Sequence, residues 1–104
     1  MAKIFSEGIN KFSDDEIVIK LSSGCKLTFE YFYKKYSAPL NGSIYRQTGD
    51  IDVSEIILEK VFIQVWNEIH TYDKNKFKLY IWLAQIARQN VNKYYRDINL
   101  EITF

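Results

Sequence analysis

The sequence predicts an all-α domain, a short N-terminal helix followed by three main ones, on three observations. Apolar residues recur at spacings of three and four through most of the chain. Capping patterns, Ser or Asp followed by acidic residues, precede two of these stretches. Only four Gly and one Pro occur in 104 residues, too few for the turns of a many-stranded β-protein. A chain of this length makes one domain. With 47% hydrophobic and 26% charged residues it can bury a core. Residues 1–12 lack a period and are expected to form an arm. Residues 13–97 carry the helical pattern, and 98–104 read as the start of a linker or tail.

The first helix is expected near 14–22. Ser13-Asp14-Asp15-Glu16 is a capping box, in which Ser13 accepts from the Glu16 amide and Glu16 reaches back. Its acids suit the positive end of the helix dipole, and Ser22-Ser23-Gly24 stops it. The second helix, near 27–48, places Phe29, Phe32, Tyr33, Tyr36, Leu40 and Ile44 on one face. Pro39 cannot donate to the ladder, so a kink or break is expected near Ser37. Gly49 ends the helix, free to take positive φ.

The third helix, near 53–69, opens at Asp52-Val53-Ser54-Glu55. Its stripe is Ile57, Leu58, Val61, Phe62, Val65, Trp66 and Ile69. Ile56 and Ile63 widen it beyond one face, as in a helix that is central in the fold or keeps a face for a partner. After a loop from His70 to about Lys76, the fourth helix, near 77–96, aligns Leu79, Trp82, Leu83, Ile86, Asn90 and Tyr94, with Ala87 and Val91 beside them. Phe29, Tyr36, Leu58, Phe62, Val65, Leu83 and Ile86 are the expected core.

Several function classes are excluded. A single Cys, Cys25, forms no intramolecular disulfide and no cysteine-based zinc site. The lone His70 rules out multi-histidine metal chemistry. There is no Gly-rich phosphate cradle, nucleophile elbow or metal-ligand spacing, so neither an enzyme nor a cofactor is expected. No apolar run approaches the roughly 20 residues of a membrane span, and no signal-peptide pattern opens the chain. A cytoplasmic protein without membrane contact is the expectation.

The net charge of +1 hides an uneven distribution. Residues 1–72 carry −2, residues 73–97 carry +4 and residues 98–104 carry −1. The basic stretch holds Lys74, Lys76, Lys78, Arg88, Lys93 and Arg96, interleaved with Tyr72, Phe77, Tyr80 and Tyr95. Cations neutralise phosphates and aromatic faces stack unpaired bases. A solvated lysine-rich loop with its aromatics turned inward gives the same pattern. In the third helix Ile56, Glu59, Lys60 and Ile63 fall at i, i+3, i+4 and i+7, one face half apolar and half charged, which suits a partner or a solvated surface.

The order of signals bears on these readings. Arg46-Gln47-Thr48-Gly49-Asp50 closes one helix, and the run from Ser54 to Trp66 forms the next. Tyr72-Asp73 opens a basic loop, Trp82-Leu83-Ala84-Gln85-Ile86-Ala87-Arg88 lies in the last helix, and Tyr94-Tyr95-Arg96 ends it. This ordered set resembles region 2 of the extracytoplasmic-function sigma factors, promoter-recognition subunits of bacterial RNA polymerase. The likeness runs without a gap from about Phe29 to Arg96. No single piece is specific; the ordered set is.

The resemblance implies a helical domain with two tasks. Glu55, Ile56, Glu59, Lys60 and Ile63 would dock on the coiled coil of the largest subunit of core RNA polymerase. The loop and last helix would open the −10 promoter element and hold its non-template strand. Lys74, Lys76, Lys78, Arg88, Lys93 and Arg96 would meet phosphates, and Tyr80, with Phe77, base faces. Asn75, Gln85, Gln89 and Asn92 would meet base edges. Gln85, Gln89, Asn92 and Arg96 share one face of the helix, with Arg88 at its border. An anti-sigma factor is a further partner that the family implies, and full members add a second helical domain that reads the −35 element.

The chain departs from the family pattern where Asp, Gln and Glu of the docking helix are replaced by Ile56, Glu59 and Lys60, which loses one acid and reverses another. The family's Gly-Ser-Phe-Arg stretch before the Trp is Phe77-Lys78-Leu79-Tyr80 here. The docking changes motivate an alternative, a region-2-like interaction module that binds a regulator or polymerase without melting DNA. A plain helical structural domain is the third reading.

Overall fold

The computed structural model describes residues 12–103; the expected arm, Phe12 apart, lies outside the described residues. The fold is all-α, with no strand among the described residues. Helix α1 spans Asp14–Ser22, α2 Lys26–Thr48, α3 Ile51–Glu68 and α4 Leu79–Thr103, with a 3₁₀ turn at Ile69–Thr71 between the last two. Helices α2, α3 and α4 pack on one another, and α1 packs on α2 and the 3₁₀ turn.

Local chemistry sets most of the boundaries. Ser13 caps α1, its Oγ accepting from the Glu16 amide at 3.2 Å. The return bond runs between the Ser13 hydroxyl and Glu16 Oε1 at 3.3 Å, not to the backbone. Gly49 ends α2 at φ 67°, and its amide donates to the Tyr45 carbonyl at 2.7 Å. Asp50, not Asp52, caps α3: its Oδ1 accepts from the amides of Asp52 (2.9 Å) and Val53 (3.2 Å), so the helix starts at Ile51. Buried Ser54 donates to the Asp50 carbonyl at 2.8 Å and lies 2.8 Å from Thr48 Oγ1. The Thr-Gly-Asp signature is thus a closed hydrogen-bonded corner that sets α3 against α2.

Beyond the cap of α3, both ends of α4 differ from expectation. Of the kink or break expected near Ser37 there is no break, since helix α2 runs through Pro39. Pro39 and Lys35, whose carbonyl loses its helix partner, are both exposed, so water can serve that carbonyl. Helix α4 begins at Leu79 because the Phe77 amide is held by the Asp73 carbonyl (3.3 Å), while Lys78 accepts from Trp82 (3.1 Å). It then continues past Arg96 to Thr103. The alternating apolar pattern of 98–102 is overridden because extending an existing helix costs far less than nucleating one.

The core is Phe32, Leu40 and Ile44 of α2, Ile57, Val61 and Val65 of α3, and Leu79, Leu83 and Ala87 of α4, with Ile17 and Leu21 closing it from α1. Six of the seven expected core residues are buried. Phe29 is only partly so, packed at the cluster's edge with its ring 5.0 Å from Trp66. Tyr33, expected on the inner stripe, is exposed and lays its ring 4.7 Å from Phe62. Trp66, Trp82 and Tyr94 are likewise partly buried.

Phe62 is 3% exposed and its ring also meets Phe32 at 5.5 Å. Phe62→Ala should therefore cost about 3–5 kcal/mol in a denaturant melt; a loss under about 1 kcal/mol would place the ring outside the core. A second test is alkaline. The Tyr36 hydroxyl donates to Asp14 Oδ1 at 2.8 Å and ties α1 to α2. Burial, then the Asp14 carboxylate, push this phenol well above its ordinary range. The unfolded chain ionises near pH 10 while the folded one keeps the proton. The contribution is complete below pH 10 and falls as pH rises above it, by up to about 1.4 kcal/mol per pH unit. Tyr36→Phe should flatten that alkaline decline, read from urea midpoints between pH 9 and 11.

Candidate nucleic-acid and partner surfaces

Every residue expected to touch DNA or polymerase is exposed, on surfaces that the fold divides more finely than helical spacing does. The loop between the 3₁₀ turn and α4 is wound on Asp73. Its carbonyl accepts from the Lys76 amide (3.1 Å) and its Oδ1 from the Asn75 amide (2.9 Å). The Tyr72 hydroxyl donates to the Phe77 carbonyl at 2.6 Å, and the Tyr72 ring lies 5.3 Å from Trp82. Burial and the neighbouring Asp14, Asp15 and Asp73 raise the Tyr72 phenol, which keeps this donor protonated. The basic loop is a formed platform.

Its lysines do not act as a set. Lys74 Nζ sits 3.6 Å from Asp15 Oδ2, drawn toward α1. Lys76 and Lys78 have no ion pair among the described residues. Tyr80 is 36% exposed. One side of its ring stacks near Tyr36, 6.1 Å away at 27°, and its hydroxyl reaches the Pro39 carbonyl at 3.5 Å. It offers a stacking edge and one free side.

The polar arc of α4 is split between two clefts. Tyr80, Gln85, Arg88 and Asn92 line a cleft of about 590 Å³ shared with Ser43 and Gln47 of α2. Gln89, Lys93 and Arg96 line one of about 360 Å³ shared with Gln64 and Glu68 of α3. Asn90, expected on the apolar stripe, is half-buried there and donates to Gln64 Oε1 (2.9 Å) and the Ile86 carbonyl (2.8 Å).

On α3, Ile56 is 46% exposed and Ile63 54%. Glu55, Glu59 and Ile63 form one rim of a groove of about 560 Å³ between α2 and α3, with Phe29, Tyr33 and Asn41 on the α2 side. Neither carboxylate has an ion pair among the described residues. Asn41 Oδ1 is buried without a hydrogen-bond partner. Lys60 turns the other way, its Nζ 5.8 Å from the centre of the Tyr94 ring. The sequence reading missed Tyr33 and Asn41 as groove residues, and Ser43 and Gln47 as cleft residues, because only tertiary packing brings α2 beside α3 and α4.

Among the described residues no group of His, Cys, Asp or Glu could hold a metal ion, and no helix is long and apolar enough to cross a membrane. Cys25 is half-buried at the start of α2, where the Thr28 hydroxyl donates to its Sγ at 3.1 Å and lowers the thiol's pKa.

No family model matches the chain, and no solved structure matches it. The chain is 30% identical over 77 residues to the ECF RNA polymerase sigma factor SigM of Bacillus subtilis (strain 168). The likeness supports a sigma-factor-like ancestry. It covers 74% of this chain and 46% of that protein, so the chain spans about half the length of the curated relative it matches.

The Asp15–Lys74 pair is exposed on both sides, where salt bridges contribute little. A double-mutant cycle with Asp15→Asn and Lys74→Ala should give a coupling energy under about 1 kcal/mol. The pair then holds Lys74 in place only weakly. A larger coupling would make the pair a structural tie between α1 and the loop.

Proposed function

We propose that this chain is the promoter-recognition domain of a bacterial RNA polymerase holoenzyme, binding core polymerase through α3 and holding the non-template strand of the −10 element through the basic loop and α4. The observation that carries this reading is the likeness to a sigma factor, joined to the exposure of both expected contact sets on separate parts of the surface. The groove beside Glu55, Glu59 and Ile63 joins apolar wall to unpaired carboxylates, a combination suited to a partner helix that carries both apolar and basic side chains. Lys74, Lys76, Lys78, Arg88, Lys93 and Arg96 supply phosphate contacts, and the amides of α4 supply base-edge contacts. The reading locates the protein in the cytoplasm, with its polymerase.

Two measurements test the two tasks separately. Glu59→Lys combined with Ile63→Ala should weaken pull-down of core polymerase without changing the circular dichroism spectrum. Wild-type capture would remove this face from the contact. A single-stranded −10-like oligonucleotide should bind more tightly than the matched duplex, in a salt-sensitive way. Replacing Lys74, Lys76 and Lys78 by Ala should flatten the salt dependence by up to about three contacts, at a slope of roughly −0.7 each. Tyr80→Ala should lower affinity with little change in slope. Polymerase capture with no DNA binding would favour the interaction module.

A further inference from the structure

Two surfaces of this fold are complementary in charge and in apolar content. The groove between α2 and α3 has aromatic and apolar walls, Phe29, Tyr33 and Ile63 among them, with Glu55 and Glu59 on one rim. The two acids lie one helical turn apart, about 5–6 Å between Cβ atoms. No Lys or Arg among the described residues lines this groove. Asn41 Oδ1, on its α2 side, is buried without a hydrogen-bond partner, so it is available to accept from a donor that enters.

The basic loop carries the counterpart. Phe77 is 37% exposed and stands between Lys76 and Lys78, two cations without an ion pair among the described residues. The other charges of the loop are engaged: Asp73 Oδ1 accepts from the Asn75 amide, and Lys74 lies on Asp15. The backbone is already set, because the Asp73 carbonyl accepts from the Lys76 and Phe77 amides and the Tyr72 hydroxyl holds the Phe77 carbonyl. A loop held this way gives up little freedom on binding. None of its residues lines the groove of its own chain, so the match is made between two copies.

We propose that the Lys76–Lys78 loop of one copy docks in the α2–α3 groove of a second copy, with Phe77 against the Phe29 and Tyr33 walls and the two ammonium groups on Glu55 and Glu59. The contact is head-to-tail, so each pair keeps one free groove and one free loop, and association continues as concentration rises. So short a loop buries less than a standard interface, which makes the contact weak and reversible. The pairing itself stands on the two surfaces. Its consequence rests on the function proposed above: each contact covers one polymerase-facing groove and one DNA-facing loop, and core polymerase competes for the groove.

The test is sedimentation velocity of the full 104-residue chain, from about 10 μM to about 1 mM, the span of weak contacts. The sedimentation coefficient should rise with concentration at low salt and stay at the monomer value in about 1 M salt, which screens charges beyond about 3 Å. Glu55→Lys with Glu59→Lys removes the groove acids, and Lys76→Glu with Lys78→Glu removes the loop cations. All four positions are exposed, so both variants should keep the wild-type circular dichroism spectrum, and each alone should be monomeric. Mixed in equal amounts, they retain one intact loop and one intact groove, and should form a one-to-one pair that grows no further. A mixture that stays monomeric would overturn the proposal, as would either variant associating alone as the wild type does, or association that salt leaves unchanged. Wild type that stays monomeric at about 1 mM would overturn it too, while capture of core polymerase through Glu59 and Ile63 still tests the polymerase reading by itself.

Discussion

The fold depends on burying one side of α3 against two neighbours at once. Ile57, Val61 and Val65 have no exposed surface, because α2 and α4 both pack on this helix. With Leu58 and Phe62 also buried on that side, the opposite face of the helix is turned out. Glu55, Ile56, Glu59, Lys60 and Ile63 lie on that outer face. Ile56 and Ile63 remain about half exposed, each forgoing on the order of 1 kcal/mol of apolar burial. Ile63 borders the groove that Asn41, whose buried Oδ1 has no hydrogen-bond partner, also lines.

The corner between α2 and α3 fixes that surface. Gly49 takes the left-handed turn, Asp50 caps α3, and Thr48 and Ser54 close the hydrogen bonds around it. The same corner positions the end of α2, where Ser43 and Gln47 face α4. One short motif thus sets the α2–α3 groove, edged by acids, and the α2–α4 cleft, which holds Arg88. Charges of opposite sign thus lie on separate faces of a chain of almost no net charge, and each acts locally. Over distances beyond about 10 Å salt screens each face from the other.

Helix identity, the positive φ at Gly49 and most of the core were legible in the sequence, because helical spacing and glycine's freedom are local effects. Phe32, Leu58, Val65 and Leu83 lie where their spacing put them. The cap of α3 was misplaced because Asp50 and Asp52 carry the same side chain, and only the geometry shows which one accepts the amides. The end of α4 was misplaced because an alternating pattern says nothing of a helix already running into it. The candidate contact residues were legible as exposed positions, but not as groups. Lys74 is drawn off by Asp15, a residue far away in sequence. Gln47 joins Gln85 through packing that no local period encodes.

The central claim is that two separate faces of this small fold engage two different partners in one complex. Photo-crosslinking from a benzoylphenylalanine placed at Ile63 or at Gln85 tests it most directly. The full chain is mixed with core polymerase and a fork DNA whose −10 non-template strand is unpaired. The account predicts that position 63 captures the largest polymerase subunit and position 85 captures the non-template strand. Capture of protein alone from both positions, or of DNA from position 63, would contradict it.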